Sequence, residues 1–348
     1  MEWGSTPHYE IGHAFVSEYG SGNDGHQFRF EMGRLPADTL IYYRVTVDGK
    51  EYDGTYRSAP ENGAGTLTFY AYSDTQANPM IHDEVLKQLL IDMKNDPGAR
   101  QTIALHGGDY VSSGLDEAVW DDEFFRKDYT HIQEFLSLMP LMGAAGNHEI
   151  FEGGAYVPEV PEGKVLYRKY WPNPLLAHDG SFYYSFDYGP LHVTVLDQYT
   201  ANYSEGSAQY LWMKEDLEGT DRPWKVVMFH APGWSAYGIQ EPGTYPHENN
   251  EAVQADLHPL FVENGVRIVL QGHNHYYARN LVDGISYLTL GGGGGHLYVP
   301  DPGQPHVVAV AEEHHFARIE IDGNETLISI IDKDGDLIDW FTTTIGDE

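Results

Sequence analysis

Apolar positions follow two rhythms along this chain, and the change between them falls near residue 65. Up to about residue 62 the pattern is that of strands. Residues 26–32 alternate loosely, and Leu40-Ile41-Tyr42-Tyr43-Arg44-Val45-Thr46-Val47 is rich in β-branched and aromatic residues and ends at Asp48-Gly49, a hairpin signal. Residues 52–57 read as the returning strand, and residues 58–65, with Pro60, Gly63 and Gly65, as a linker.

Beyond the linker, strands alternate with helices. Residues 66–72, 102–105, 141–145, 225–229 and 266–270 are apolar runs of strand length. Amphipathic helices are expected over 78–95, 116–138, 207–217 and 251–264. Val85, Leu86, Leu89, Leu90 and Met93 keep helical spacing and belong to a core. Residues 183–188 and 191–196 form a hairpin-like pair around Gly189-Pro190. Residues 150–180, rich in Pro and Gly, read as a loop inserted over one end of a sheet, and loops of that length tend to be functional. The tail from Leu281 is mostly β, with strands over 285–290, 316–321 and 326–331.

Composition narrows the chemistry. The 348 residues suffice for one large domain or two smaller ones, and none is cysteine, which excludes disulfides, thiolate metal sites and cysteine nucleophiles. Twenty Lys and Arg stand against 53 Asp and Glu, for a net charge of −33. Such a field repels phosphate backbones and anionic lipid, so long nucleic acid is not expected as a partner. No apolar run has the length of a membrane span, and Met1-Glu2-Trp3-Gly4 lacks the features of a signal peptide.

The polar residues that interrupt this pattern lie where strands should end. Asp74, Asp109, Asn147, His230, and His273 with His275 each follow an apolar run. In open α/β sheets ligands bind beyond the carboxyl ends of the strands, so these residues can converge. Singly, each has a plainer reading as a helix cap or a core histidine; together they are hard to explain that way. Carboxylate, amide and imidazole without thiolate suit Zn, Mn or Fe. Six ligands are too many for one catalytic ion with an open position. Two ions bridged by one carboxylate, at the roughly 3.5–4 Å separation of two-metal hydrolases, fit better.

Asp74-Thr75-Gln76, Gly108-Asp109, Gly146-Asn147-His148-Glu149, the His230 strand end and Gly272-His273-Asn274-His275 resemble, in order and roughly in spacing, the five blocks of the calcineurin-like metallophosphoesterases. The resemblance implies an α/β (α+β) four-layer sandwich of mixed β-sheets flanked by helices, over 66–348. The β-rich front, with Leu35-Pro36-Ala37-Asp38-Thr39 before Tyr42, resembles the fibronectin-type-III-like domain that precedes the catalytic domain of purple acid phosphatases. On that reading residues 1–62 are part of such a domain, begun partway through.

Carried over residue by residue, the resemblance implies that Asp74 and His275 hold one metal, that Asn147, His230 and His273 hold the other, and that Asp109 bridges them. The two ions would be divalent or trivalent Fe, Zn or Mn. They would offset the charge of a phosphoester and supply hydroxide for in-line attack, with His148 stabilising the transition state or protonating the leaving group; a second role open to His148 is to orient a ligand. Two departures stand out. Purple acid phosphatases carry a metal-binding Tyr where this chain has Ser112, and many relatives carry His where it has Gln76. Gln76 could ligate through its carbonyl oxygen, or water could fill the place, and no tyrosinate–iron colour is expected.

The resulting expectation is a dinuclear phosphatase-like hydrolase of small phosphorylated substrates, exported from the cytoplasm. Two alternatives stay open: a phosphodiesterase on nucleotides or lipid headgroups, and an extracellular binding protein with a vestigial metal site. Gly291–Gly295 is expected as a close-packing turn, His314-His315 as an exposed pair, and His247 and Tyr237 as loop residues able to face substrate. Serine-hydrolase elbows, Walker A loops and dinucleotide fingerprints are absent from the sequence.

Overall fold

The computed structural model describes residues 1–16, 18–21, 26–33, 35–153, 155–157, 165–171, 182–238 and 246–346. Most of the expected inserted loop, at 158–164 and 172–181, lies outside them.

Two mixed sheets lie face to face. The first has six strands, in the spatial order Leu337–Thr344, Glu325–Asp332, His315–Asp322, Thr66–Tyr72, Ala104–His106 and Leu141–Gly143. The second has seven, in the order Tyr184–Tyr188, Leu191–Val195, Trp224–Met228, Ile268–Gln271, Ile285–Leu290, Tyr277–Val282 and Val307–Ala311. Leu67, Phe69, Ile319 and Ile328 from the first meet Val193, Val226, Leu270 and Leu288 from the second in one dry core. Helices cover both outer faces. Pro79–Asn95 and Thr130–Leu138 pack over Tyr70, Tyr72 and Ala104, while Ala208–Gly219 and the segment ending in His258–Glu263 pack over Val227 and Val269. Strands buried on both faces are mostly apolar, and the polar residues in the uniformly buried Leu191–Val195 and Ile268–Gln271 are paired, His192 and Thr194 with Asp216 and Gln271 with the Trp234 carbonyl. The four layers expected from the resemblance are present.

The front is a four-stranded antiparallel sheet of Gly12–His13, Glu2–Gly4, Leu40–Val47 and Lys50–Arg57. Asp48 and Gly49, at φ 49° and 76°, make the tight turn that their sequence announces. The sheet is tied to the body by Tyr43, whose hydroxyl donates to the Ser137 carbonyl at 2.9 Å, and by Gln101, whose amide donates to Thr55 Oγ1 at 3.0 Å.

Three expectations change. The helix expected over 116–138 is Glu117–Trp120, a π-turn Asp121–Phe125 and Thr130–Leu138, because Trp120 and Phe124 are drawn into an aromatic cluster with Tyr110 and Trp171. The last piece is capped from another helix, Asp83 Oδ1 accepting from the amides of His131 and Ile132 at 2.8 and 3.1 Å. The helix expected over 251–264 begins there but contains a π-turn, Val253–Leu257, just before Pro259, whose missing N–H breaks the regular ladder. His315 is fully buried, not exposed, because it starts the strand His315–Asp322 against the ring of Tyr277.

Candidate metal centre

The parallel strands Thr66–Tyr72, Ala104–His106 and Leu141–Gly143 of one sheet, and Leu191–Val195, Trp224–Met228 and Ile268–Gln271 of the other, deliver their carboxyl ends to one region. Asp74, Asp109 and His273 leave those ends in the left-handed region, at φ 62°, 56° and 71°. Such a conformation costs about 1–3 kcal/mol per residue and persists where surrounding contacts over-determine it. Those contacts are present. The amide of His273 donates to both oxygens of Asp74 at 2.9 and 3.0 Å, and the amide of His148 donates to Asp109 Oδ1 at 2.9 Å.

Glu149 is the clasp beneath. Fully buried, it accepts from the amides of Asp109 and Tyr110 at 2.9 Å each and of Gly146 at 2.5 Å, joining two strand ends. Burial and the charge of Asp109 push its carboxyl up to about 7, opposed by the Gly146 and Tyr110 amides.

On this base Asp109 Oδ2 faces His230 Nε2 at 3.1 Å, and His230 Nε2 faces His273 Nδ1 at 3.2 Å. One ligand atom from each of the three residues lies within 4.8 Å of the others, a grouping that could hold a metal ion. Asp74 Oδ1 stands 3.9 Å from His230 Nε2 and 3.5 Å from His275 Nε2. The tautomers are set from behind, since Nδ1 of His230 donates to the Gly107 carbonyl at 2.9 Å and Nδ1 of His275 to the His296 carbonyl at 2.8 Å. The Nε2 atoms of both rings therefore face carboxylate oxygens. Asn147 Oδ1 is buried with no hydrogen-bond partner among the described residues.

Without a cation such a site is electrostatically poor. Burial alone would discharge Asp109, but His230 and His148 overcome it and hold its carboxyl far below the usual range. Burial works against charge on His230, and Asp109 and Asp74 raise that ring to about 9. His273 is pushed well below its ordinary value by burial and by His230. Converging imidazole nitrogens, an orphaned amide oxygen and carboxylates at 0–1 % exposure fit a cation-binding role.

His148 borders the group. Its Nδ1 donates to the Ser112 carbonyl at 2.8 Å, and its Nε2 lies 3.8 Å from Asp109 Oδ2. His247 stacks on His273, ring centroids 3.7 Å apart. Tyr237 has its backbone carbonyl bonded to the Tyr276 hydroxyl. The glycine run is a close-approach belt: Gly293 and Gly295 donate their amides to the carbonyls of Ser73 and Asp74 at 2.8 Å, and a Cβ on Gly291 or Gly293 would collide with backbone.

Sequence reasoning missed Tyr199. It follows the strand Leu191–Val195, its ring centroid lies 6.0 Å from that of His230, and its hydroxyl is buried without a partner among the described residues. Its loop is held firmly. Asp197 Oδ1 accepts from the Tyr199 amide at 3.0 Å, and Gln198 exchanges hydrogen bonds of 2.6 and 3.0 Å with Ala231, next to His230. The signal was present in the sequence as another polar strand end, obscured because tyrosine also suits a core.

Comparison with known proteins places the chain in a family. The calcineurin-like phosphoesterase family matches residues 67–277. Purple acid phosphatase 18 of Arabidopsis thaliana is 28% identical over 276 residues, covering 76% of this chain and 57% of that protein. Purple acid phosphatase 22 of the same plant is 28% identical over 302 residues, covering 79% and 60%. This chain thus spans less than two thirds of the length of these relatives. Among solved structures, the purple acid phosphatase PPD1 of yellow lupin superposes with a TM-score of 0.71 at 20% identity, over 89% of this chain and 60% of that one. GAP50, the anchor in the inner membrane complex of Plasmodium, superposes with a TM-score of 0.62 at 14% identity, over 82% and 90%. At these identities the structural likeness speaks for the fold.

Proposed function

Because the chain belongs to the calcineurin-like phosphoesterase family, we propose that it is a metal-dependent hydrolase of small phosphomonoesters. One observation carries the reading: Asp109 Oδ2, His230 Nε2 and His273 Nδ1 converge, one ligand atom from each lying within 4.8 Å of the others. We assign Asp109, Asn147, His230 and His273 to one ion and Asp74, Asp109 and His275 to another, with Asp109 shared. When bound, the two cations neutralise phosphate charge and make a nucleophilic oxygen available near neutral pH. Zn, Mn and Fe all suit the donor set.

The rest falls to the chain's own residues. His148, its Nδ1 committed to the Ser112 carbonyl, presents Nε2 beside Asp109, and in the imidazolium form that nitrogen can pass a proton to the leaving oxygen. Burial and the charges of Asp109 and Asp74 keep the Tyr199 hydroxyl protonated, so it offers a donor to a phosphoryl oxygen. Gln198, bonded to Ala231, and Glu149, bonded to the Asp109 amide, hold the backbone of these groups in place. With only 20 Lys and Arg in the chain, anion binding falls mainly to the cations, which favours small substrates over long nucleic acid. No helix among the described residues is long and apolar enough to cross a membrane. An extracytoplasmic setting completes the reading, supported by the acidic balance of the chain.

The test is to count metal in the purified chain and to assay it on nitrophenyl phosphate and bis-nitrophenyl phosphate. Two equivalents of transition metal with faster monoester turnover are expected. Faster diester turnover would replace the substrate class, and failure to bind transition metal would remove the hydrolase reading.

A further inference from the structure

The two-ion reading assigns the first ion only Asp74, Asp109 and His275, and three nearby side chains decide what else it meets. Gln76 is 3% exposed. Its terminal amide lies 3.1 Å from His275 Nε2 and 3.3 Å from Asp109 Oδ2, with Nε2 as the near atom, while Oε1 is buried and partnerless among the described residues. The atoms that this amide meets are acceptors, since His275 gives its Nδ1 proton to the His296 carbonyl and leaves Nε2 its lone pair, and Asp109 Oδ2 is a carboxylate oxygen. A half-turn about the Cγ–Cδ bond exchanges the amide oxygen and nitrogen and leaves the rest of the side chain in place. With a cation between His275 and the two carboxylates, only the oxygen-inward orientation is favourable.

Ser112 is turned the other way. Its Oγ donates to Glu123 Oε1 at 2.5 Å and its amide to Glu123 Oε2 at 2.7 Å. The same Oε2 accepts at 2.9 Å from the amide of Ala77, which follows Gln76 in the left-handed region at φ 64°. One carboxylate thus grips both loops, drawing Ser112 away from the ion and fixing the backbone from which Gln76 projects.

We infer that the carboxamide oxygen of Gln76 completes the first metal site, beside Asp74, Asp109 and His275, and that Glu123 positions it. The inference rests on the two-ion reading above. It makes the two sites unequal. The second holds two imidazoles, whereas the first holds one imidazole and three oxygens, one of them a neutral amide. An oxygen-rich site of this kind binds a hard divalent ion such as Mn2+ and gains less from imidazole than its neighbour.

The experiment titrates the metal-stripped full chain with Mn2+ by calorimetry, with metal counted after dialysis. The unaltered protein should bind two ions with distinct affinities. Gln76→Ala should weaken the weaker site by about 10-fold or more, at least what losing an outer-shell partner costs, and leave the stronger site unchanged, which also reports an intact fold. Gln76→Glu, which keeps the shape and supplies an anionic oxygen, should tighten the weaker site. Ser112→Ala should change neither. Two unchanged sites in Gln76→Ala, an unchanged weaker site in Gln76→Glu, or equal weakening in Ser112→Ala would overturn the assignment of Gln76 and leave the two-ion reading standing. A single ion, or none, in the unaltered protein would overturn both.

Discussion

The main-chain amide of Asp109 donates to Oε2 of Glu149 at 2.9 Å, so the carboxylate at the centre of the site is set by a second, fully buried carboxylate forty residues further along the chain. Two more amides, of Tyr110 and Gly146, converge on the same group. Glu149→Gln puts an NH2 where only acceptors fit. We expect metal affinity to fall about 10- to 100-fold, as for other partners behind a ligand, and stability by roughly 1–3 kcal/mol. Metal titration and urea unfolding check this; unaltered affinity would deny Glu149 its clasping role.

His148 separates by leaving group. If its Nε2 delivers a proton, His148→Ala should reduce turnover of an alkyl phosphate by about 10²–10⁴-fold, and that of nitrophenyl phosphate, whose leaving group departs without a proton, far less. Equal losses on the two substrates, with metal content intact, would assign the residue to orienting its neighbours.

Tyr199 has no partner for its buried hydroxyl among the described residues, so Tyr199→Phe breaks no hydrogen bond there. Turnover should fall toward the roughly 10²-fold loss typical of one missing oxyanion donor. Inhibition by inorganic phosphate should weaken and metal stoichiometry should hold. Unchanged phosphate inhibition would make Tyr199 a packing residue.

Stability should carry a pH signature away from the site. His192 pairs through Nδ1 with Asp187 at 2.8 Å and through Nε2 with Asp216 at 3.0 Å. Burial opposes its charge, but Asp216 and Asp187 overcome this and raise its folded pKa above 6.5. A raised pKa means that the charged ring stabilises the fold fully below about 6.5, its unfolded value, and that the contribution fades as pH rises through the folded value. Burial pushes the Asp216 carboxyl up, but hydrogen bonds from His192 and Ser185 outweigh it and lower the group, so its share is lost only toward acid. His192→Gln should therefore destabilise more at pH 6 than at pH 9 in urea melts at fixed metal. An equal or larger loss at the higher pH would contradict the pairing.

Read alone, the amino-acid sequence determined the layers and the polar strand ends that converge on one region. Runs rich in apolar residues report strands buried on both faces, and the helical spacing of Val85, Leu86, Leu89 and Leu90 reports a helix whose apolar stripe covers a sheet. An Asp or His just past an apolar strand is carried to the sheet's edge by the strand itself. The turn at Asp48-Gly49 was legible because its backbone demand is local. Tertiary structure decided what depends on distant partners. The helix expected over 116–138 breaks because Trp120 and Phe124 answer to Tyr110 and Trp171. His315 is buried against Tyr277 of the facing sheet, a contact that its own neighbours in the chain do not announce. Above all, Ser112 and Gln76 both stand where relatives carry a metal ligand, and the carboxylate of Glu123 treats them differently, binding the Ser112 hydroxyl and amide but, beside Gln76, only the amide of Ala77. Periodicity carries burial, which is a property of one segment; the direction of a polar side chain is fixed by whichever donor or acceptor the fold brings beside it.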